Sequence, residues 1–476
     1  MGRKLAEDDT ARIVERQVNT WDRKTLDELY DGVGSLAYDP LLLVKMVLYQ
    51  YLKGRRSPAK WFEEAKLNEA MQWLGRGYTP ARRTWYDFRD RVGGAVDKLH
   101  EQLIKHAIEQ NLLDPAVGVQ DGTSVAACAS RHQMLNSETL NRRKELLTNV
   151  IKGAHPSSEP LPRWVPPTDT GREDLAERMR LAAKILDERI AKNAAKQAGK
   201  RKNPSKILVS LTDPIAPFGR DKMKVFRPLY TIQYVIEPIS RFIMSYRCDA
   251  AATDSGTLIP MVEKIQKIVA GRLKTMMADS AYCSILDLRG CEDRGIELLA
   301  PVQANSFTEK KKQAKTNRQI PRDKFCFDAE RNCYQCPAGH ELSYMGRERK
   351  QRHSDQSLWE SRYRCEPVHC QGCPLAAQCL RPGSSSRTIK RLEGQELLDA
   401  QRARMNDPSV QSRYALRGQT VELGFADAKS HRGLHRFHGR GIDRASAETG
   451  LLVLAQNLLR LDRLQRDAVN STNTPT

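Results

Sequence analysis

Residues 226–251, FRPLYTIQYVIEPISRFIMSYRCDAA, decide the fold. Two runs rich in Tyr, Ile, Val and Phe flank a short break containing Pro and Ser, and that spacing predicts a β-hairpin. Further along, GTLIPMVEKIQKIVAG (256–271) has helical periodicity and KTMMADSAY (274–282) opens as a strand. A second helix is expected near 284–294, and IELLAPV (296–302) is another strand. A hairpin followed by alternating helices and strands describes an α/β protein, a mixed sheet flanked by helices. Upstream, AVGVQDGTSVAA (116–127) is short, β-rich and ends in small residues, so Asp121 belongs on or just after a buried strand.

The flanks differ in character. YDPLLLVKMVLYQYLK (38–53) places Leu41, Val44, Leu48 and Leu52 at helical spacing, with Pro40 in the first turn and Gly54 as the stop. Ser57 can cap a second helix holding Trp61 and Phe62, Thr84 a third (TWYDFRDRV), and a fourth spans 95–112. Short helices with basic connections commonly present a helix to a DNA groove, and Arg82, Arg83 and Arg89 are the candidate DNA contacts there. The same pattern also suits a bundle that only packs or dimerises. We therefore expect an N-terminal helical, helix-turn-helix-like DNA-binding domain over 1–114 and a catalytic domain over 115–322 and 391–465. Residues 131–205 read as a polar, helical surface insertion, 306–322 as a charged linker, 323–390 as a cysteine-rich module and 466–476 as a disordered tail.

Composition narrows the function. Seventy-eight Lys and Arg against fifty-eight Asp and Glu leave a net charge of +20, which favours a polyanion partner, most often nucleic acid. No apolar run approaches the roughly eighteen residues needed to span a bilayer. The basic start MGRKLAEDDTAR lacks an apolar signal core, so a cytoplasmic, nucleoid-associated protein with no membrane partner is expected. Seven of the eleven cysteines fall between Cys326 and Cys379, which in a reducing compartment reads as metal ligation rather than disulfides.

Cleaving a DNA phosphodiester puts charge on both the attacking and the leaving oxygen. Two Mg²⁺ (or Mn²⁺) ions about 4 Å apart can neutralise it, held by carboxylates from separated segments. Asp121 and Asp279 each follow an apolar strand and precede small residues, leaving room for a phosphate backbone. Glu422 lies instead in a helix, and Lys429, seven residues on, returns to nearly the same face of a regular α-helix. A Lys two turns from a metal-binding Glu can grip an adjacent phosphate, and Tyr414 and Arg417 can help position DNA. A solvated helix face is the alternative for these three.

RYALRGQTVELGFADAKSHRGLHRFHGRG (413–441) resembles the C-terminal signature of the DDE transposases of bacterial insertion sequences. There a Tyr, an Arg, the metal-binding Glu and a Lys follow at near-fixed spacing. Here these correspond to Tyr414, Arg417, Glu422 and Lys429, with six residues between Glu and Lys and four, rather than the commoner three, between Arg and Glu. GVQDGTSV and MMADSAYCS resemble the strands carrying the first and second Asp, and the N-terminal helical block resembles the domain that opens many of these proteins. The resemblance implies a ribonuclease-H-like core with metal on Asp121, Asp279 and Glu422. It also implies hydrolysis at the element's ends, then attack of the freed 3′-hydroxyl on target DNA. The partners would be double-stranded DNA of the terminal inverted repeats and of the target, and the need to hold two ends implies a homodimer on DNA. The alternatives are a nuclease of the same fold that does not join, and a sequence-specific DNA-binding protein without chemistry.

The cysteine module holds the pairs Cys333/Cys336 and Cys370/Cys373, followed by Cys379. Two CxxC pairs have the spacing of a structural zinc ribbon, each supplying half of a tetrahedral Zn²⁺ site. Which four ligate is left open by spacing. The resemblance favours Cys336, Cys370, Cys373 and Cys379, leaving Cys333 and Cys365 as spares, with His340 a further candidate.

Overall fold

The first strands in the chain are β1 (Val117–Ala126), β2 (Met134–Leu135), β3 (Val209–Ser210), β4 (Phe218–Arg220), β5 (Phe226–Ile236) and β6 (Ile243–Asp249). β5 is buried from Pro228 to Ile236, so both of its faces are covered, as an unbroken apolar run requires. β1 runs antiparallel along one edge of β5, with Asp121 opposite Tyr234 and Thr123 opposite Ile232. Along its other edge β5 pairs first with β4 and then with β6, the expected hairpin partner. The structure, a computed structural model, describes residues 5–30, 38–156, 158–196, 198–251, 253–303, 320–352 and 356–472.

The chain divides into two compact units, Met1–Asp254, Met261–Leu273 and Leu416–Thr476 in one, Ser255–Pro260 and Lys274–Ala415 in the other. In the first unit the helix Pro40–Leu52 is capped by the Asp39 carboxylate, which accepts from the Leu41 N–H. It packs against the final helix, Ile442–Thr472, whose Leu451, Leu452, Leu454 and Leu458 are wholly buried. The helix Val96–Glu109 packs on that same final helix. Trp61 and Trp85 meet edge to face at 6.1 Å beneath the helices Pro58–Leu67 and Arg82–Val92. Arg56 and Glu448 form an ion pair with side chains 1% and 5% exposed, joining the N-terminal helices to the final one.

Several expectations need revision. The helix expected to start at Thr84 begins at Arg82, with Ala81 at the cap position and no side-chain cap bond. Ser57 does sit at a cap position, ahead of Pro58 in the first turn, but its side chain makes no cap bond. Residues 131–205 are more than a surface excursion. Helices Ser137–Ile151 and Asp169–Ala194 pack on each other and on β2 and β3 around Leu140, Leu147, Met179 and Leu186. The final helix continues to Thr472, so residues 466–472, read as a disordered tail, are helical, and 473–476 lie outside the described residues.

In the second unit β7 (Thr275–Met277) pairs in parallel with β8 (Glu297–Leu299), and the helix Ile285–Glu292 crosses between them. That helix opens with a capping box between Ser284 and Asp287. Helix Gln395–Met405 is tied back by Gln401, whose Nε2 donates to the carbonyls of Leu298 (3.0 Å) and Ala300 (2.9 Å). Most of the expected linker, 306–319, lies outside the described residues. β9 (Cys326–Asp328), β10 (Cys333–Gln335), β11 (Glu341–Arg352), β12 (Gln356–Cys365) and β13 (Thr388–Leu392) then form an antiparallel sheet in the order β13-β12-β11-β10-β9. Its small core holds Phe325, Tyr334, Leu342, Tyr363 and Ile389. The architecture is mixed α/β.

Candidate active site

Asp121 lies in the middle of β1, half-buried, and its partner in the neighbouring strand is Tyr234. Phe425 stacks on the Tyr234 ring at 4.7 Å with the planes 10° apart. Phe425 belongs to the helix Leu416–Ala426, and Gly424 of that helix sits so close to Ile236 that a β-carbon there would meet the Ile236 Cδ1 at 2.5 Å. The ring stack and the glycine therefore seat this helix on β1 and β5. Arg417, at its start, reaches the Asp121 carboxylate at 3.6 Å, with both side chains about four-fifths buried. Glu422, one turn before Phe425, is exposed.

The helix does not stay α beyond Ala426. Asp427–His431 forms a π-type turn, in which one extra residue per turn alters the phase. Lys429 is half-buried, and its Nζ donates to the Thr123 Oγ1 at 2.6 Å. Burial lowers the Lys429 ammonium from its ordinary value, Lys222 adds to this and Asp221 opposes it. Asp427 is held by Gln456 at 2.6 Å and by Arg432 at 3.3 Å. Arg417 and Lys429 thus meet the same face of β1, since Asp121 and Thr123 are two residues apart in a strand.

Asp279 stands just past β7 as the cap of a short 3₁₀ turn, and its carboxylate accepts the Ala281 N–H at 2.7 Å. Tyr414 anchors beside it, the hydroxyl donating to the Ala278 carbonyl at 3.0 Å. The neighbouring Arg413 binds Glu297 at 2.6 Å. Asp121, Arg417, Glu422 and Lys429 are therefore features of the first unit, and Asp279 and Tyr414 of the second. Among the N-terminal candidates Arg82 and Arg83 are exposed, the latter 3.6 Å from Asp87, while Arg89 is half-buried against Asp90 and the Tyr86 ring. Thr123, Tyr234 and Phe425 were not singled out from sequence. The usable signals were the two-residue spacing from Asp121 to Thr123 and the three-residue spacing from Glu422 to Phe425.

None of the eleven cysteines is in a disulfide. Cys336, Cys365, Cys370 and Cys379 share the core beneath β10–β12, where the Cys336 Sγ accepts the His340 N–H at 3.3 Å. Burial, then the Cys370 thiol, push Cys365 up to about 12. Burial likewise raises Cys379, which feels Cys370, Cys336 and Cys373. Cys333 faces other neighbours, Glu341, Arg331 and Asp328, and is raised by burial. Thiolates are soft ligands that suit Zn²⁺, and Cys333 stands among different neighbours from the first group. Among the described residues no group of three or more His, Cys, Asp or Glu stands close enough together to hold a metal ion. The expected zinc ribbon is therefore not assembled as a ligand cluster among the described residues.

No described helix is long and apolar enough to cross a membrane. No curated protein and no solved structure matches the chain. Two family models do. Residues 335–462 match one described as a transposase DDE domain, which takes in Tyr414, Arg417, Glu422, Lys429 and the cysteines from Cys336 to Cys379. Residues 1–91 match one described as a transposase domain (DUF772), which takes in Arg82, Arg83 and Arg89. Asp121 and Asp279 fall outside both matches. A transposase family model matches each end, and an Arg, a Glu and a Lys lie on one helical segment by the strand of Asp121, so the matches support a DDE transposase of insertion-sequence type.

Proposed function

We propose that this transposase cuts the ends of its element by phosphodiester hydrolysis and joins the freed 3′-hydroxyl to target DNA, with Asp121, Asp279 and Glu422 as the acids. The carrying observation is the docked helix Leu416–Ala426. Tyr234 and Phe425 hold it on the Asp121 strand, so that Arg417 reaches the Asp121 carboxylate and Glu422 stays exposed on the same helix. A ribonuclease-H-like core is the reading of this mixed sheet that agrees with a DDE domain. The expected boundaries, 1–114, 115–322 with 391–465, and 323–390, are kept as its domain scheme.

Carboxylates are the hard oxygen donors that Mg²⁺ prefers, and the three acids fit it in type. When bound, the metal would neutralise charge on the attacking and leaving oxygens. The chain's own residues do the rest. Arg417 balances the Asp121 carboxylate, Lys429 is fixed by Thr123 with an ammonium left for a phosphate, and Tyr414 steadies the backbone at Asp279 through Ala278. Arg82, Arg83 and Arg89 are proposed as DNA contacts of the N-terminal region, and a homodimer on DNA would hold two ends. Zn²⁺ on Cys336, Cys370, Cys373 and Cys379 is proposed as structural, with Cys365 as a neighbour and Cys333 apart.

The test is purified protein with Mg²⁺ and linear DNA carrying the element's own terminal repeats, scored for 3′-end nicks and joined products. Asp121→Asn, Asp279→Asn and Glu422→Gln should each abolish both products and keep DNA binding. A Glu422→Gln protein that nicks at the wild-type rate would overturn the assignment of the third acid. Wild type that nicks but never joins would point to a nuclease, and wild type that binds ends without nicking to a DNA-binding protein.

A further inference from the structure

At the far end of β1 the first unit opens a second polar feature. A cleft of about 560 Å³ is lined there by Arg131 and His132 from the turn after β1, Arg227 from β5, and Arg436 and Arg440 from the segment before the final helix. Among the described residues no carboxylate lines it. Arg227 is paired with Asp221 at 2.9 Å, whereas Arg131, Arg436 and Arg440 are exposed and have no carboxylate partner among the described residues. Guanidinium groups gathered around one cavity repel one another, and an anion between them relieves that repulsion and can be held by paired N–H donors.

The arginines are displayed on a fixed backbone. The Ala126 N–H donates to the His435 carbonyl at 3.2 Å and the Phe437 N–H returns to the Ala126 carbonyl at 2.9 Å, extending β1 by a parallel bridge at Arg436. Two buried carboxylates hold the remainder. Asp213 accepts from the Gly441 N–H at 3.1 Å and from the Tyr230 hydroxyl at 2.7 Å. Glu448 accepts from the His438 N–H at 2.9 Å, while Arg56, its ion-pair partner, donates to the Gly433 and Arg436 carbonyls. Phe437 is buried edge to face against Tyr230, and Arg436 and Arg440 on either side of it point outward. Buried acids thus spend their hydrogen bonds on positioning a loop whose exposed residues are cations.

We propose that this cleft binds a phosphate of duplex DNA, as an anchor separate from the face that carries Asp121. It rests on the transposase reading and adds where the duplex is held. From Asp121 to Ala126 is five residues of strand, roughly 17 Å at about 3.3 Å each. That corresponds to about five base-pair steps at about 3.4 Å per step, so the anchored phosphate lies several base pairs from the bond that Asp121 serves. A contact of this kind fixes register and carries no sequence information.

The experiment uses the full chain and a labelled duplex of random sequence, with affinity measured across a salt titration. The triple variant Arg131→Ala, Arg436→Ala, Arg440→Ala should bind at least about tenfold more weakly at low salt, with the slope of log K on log salt reduced by about 1–3. The matching triple Lys variant should keep most of the slope, because it keeps the charge, and thermal melting confirms that both variants fold. An unchanged slope in the Ala variant overturns the proposal. So does a variant that differs from wild type only in losing stabilisation by inorganic phosphate, which would make the cleft a free-anion site. If wild type nicks its element's ends while the Ala variant keeps the full slope, the cleft is refuted and the transposase reading stands. If wild type nicks nothing while the Ala variant loses slope, the reverse holds.

Discussion

Asp121 and Asp279 look alike in sequence, each an acid after an apolar strand and before small residues, yet the structure uses them differently. Asp121 stands inside a ten-residue strand, opposite Tyr234, and its carboxylate is met by a guanidinium from another element. Asp279 follows a three-residue strand and its carboxylate is met by a backbone N–H two residues away. The first is met by a group from another element, and the second caps its own turn. An acid whose partner is local can be positioned by a short segment, whereas an acid paired across elements depends on everything that docks those elements.

The largest effect that tests this contrast is on chemistry. Asp121→Asn and Asp279→Asn should both lower Mg²⁺-dependent nicking by several kcal/mol of barrier, on the order of 10³–10⁴-fold, despite their different surroundings. Single-turnover nicking of end-bearing DNA measures it, and near-wild-type rates in either variant would remove that acid from the site. Next is the support of the Asp121 side. Arg56→Ala leaves Glu448 buried without its partner and should cost about 3–5 kcal/mol in denaturant unfolding. Hydrogen exchange should then show loss of protection in β1 and in 433–441, and an unaltered midpoint would show that the pair contributes nothing.

Acidity should also fall on the Asp121 side. His100 is fully buried, its Nε2 is 2.9 Å from the Ile243 carbonyl, and burial lowers it to about 4 from about 6.5. The unfolded chain therefore binds the extra proton between those values, so stability is greatest above about pH 6.5 and falls as pH drops towards 4, by up to about 3 kcal/mol. Denaturation at several pH values should show that slope, and His100→Gln should flatten it. The smallest effect is at Asp279. Asp279→Ala removes a cap and should cost about 1 kcal/mol or less, while Asp279→Asn, an equally good cap, should be near neutral. Equal losses in both would mean that the carboxylate charge, not the cap, stabilises the turn.

Much of the fold was readable from sequence. The hairpin at 226–251, the strand around Asp121 and the β7–helix–β8 order announce themselves through period and β-branched or aromatic content, and the helix carrying Glu422 through its resemblance to a family signature. What escaped was non-local. Asp169–Ala194 reads as an amphipathic surface helix until Ser137–Ile151 is seen packed on it. Lys429 returns to the face of Glu422 only if the helix stays α, and the π-type turn at Asp427–His431 is set by packing rather than by composition. Among the cysteines, CxxC spacing pairs Cys333 with Cys336, but Cys333 lies within β10 and Cys336 just past its end, and the two have different neighbours.

By itself the sequence determined which residue types are present and at what local spacing: three separated acids, a Lys and an Arg near one of them, a surplus of twenty positive charges, and clustered thiols. Those are properties of composition and of period, which act over a few residues. The tertiary structure alone decided that Arg417 pairs with Asp121, that Lys429 is tied to Thr123 and that Arg131 and Arg440, over three hundred residues apart in the chain, line one cleft. Such pairings depend on how the Tyr234–Phe425 stack, Gly424 and the Arg56–Glu448 pair dock elements distant in the chain, and no local pattern encodes that distance.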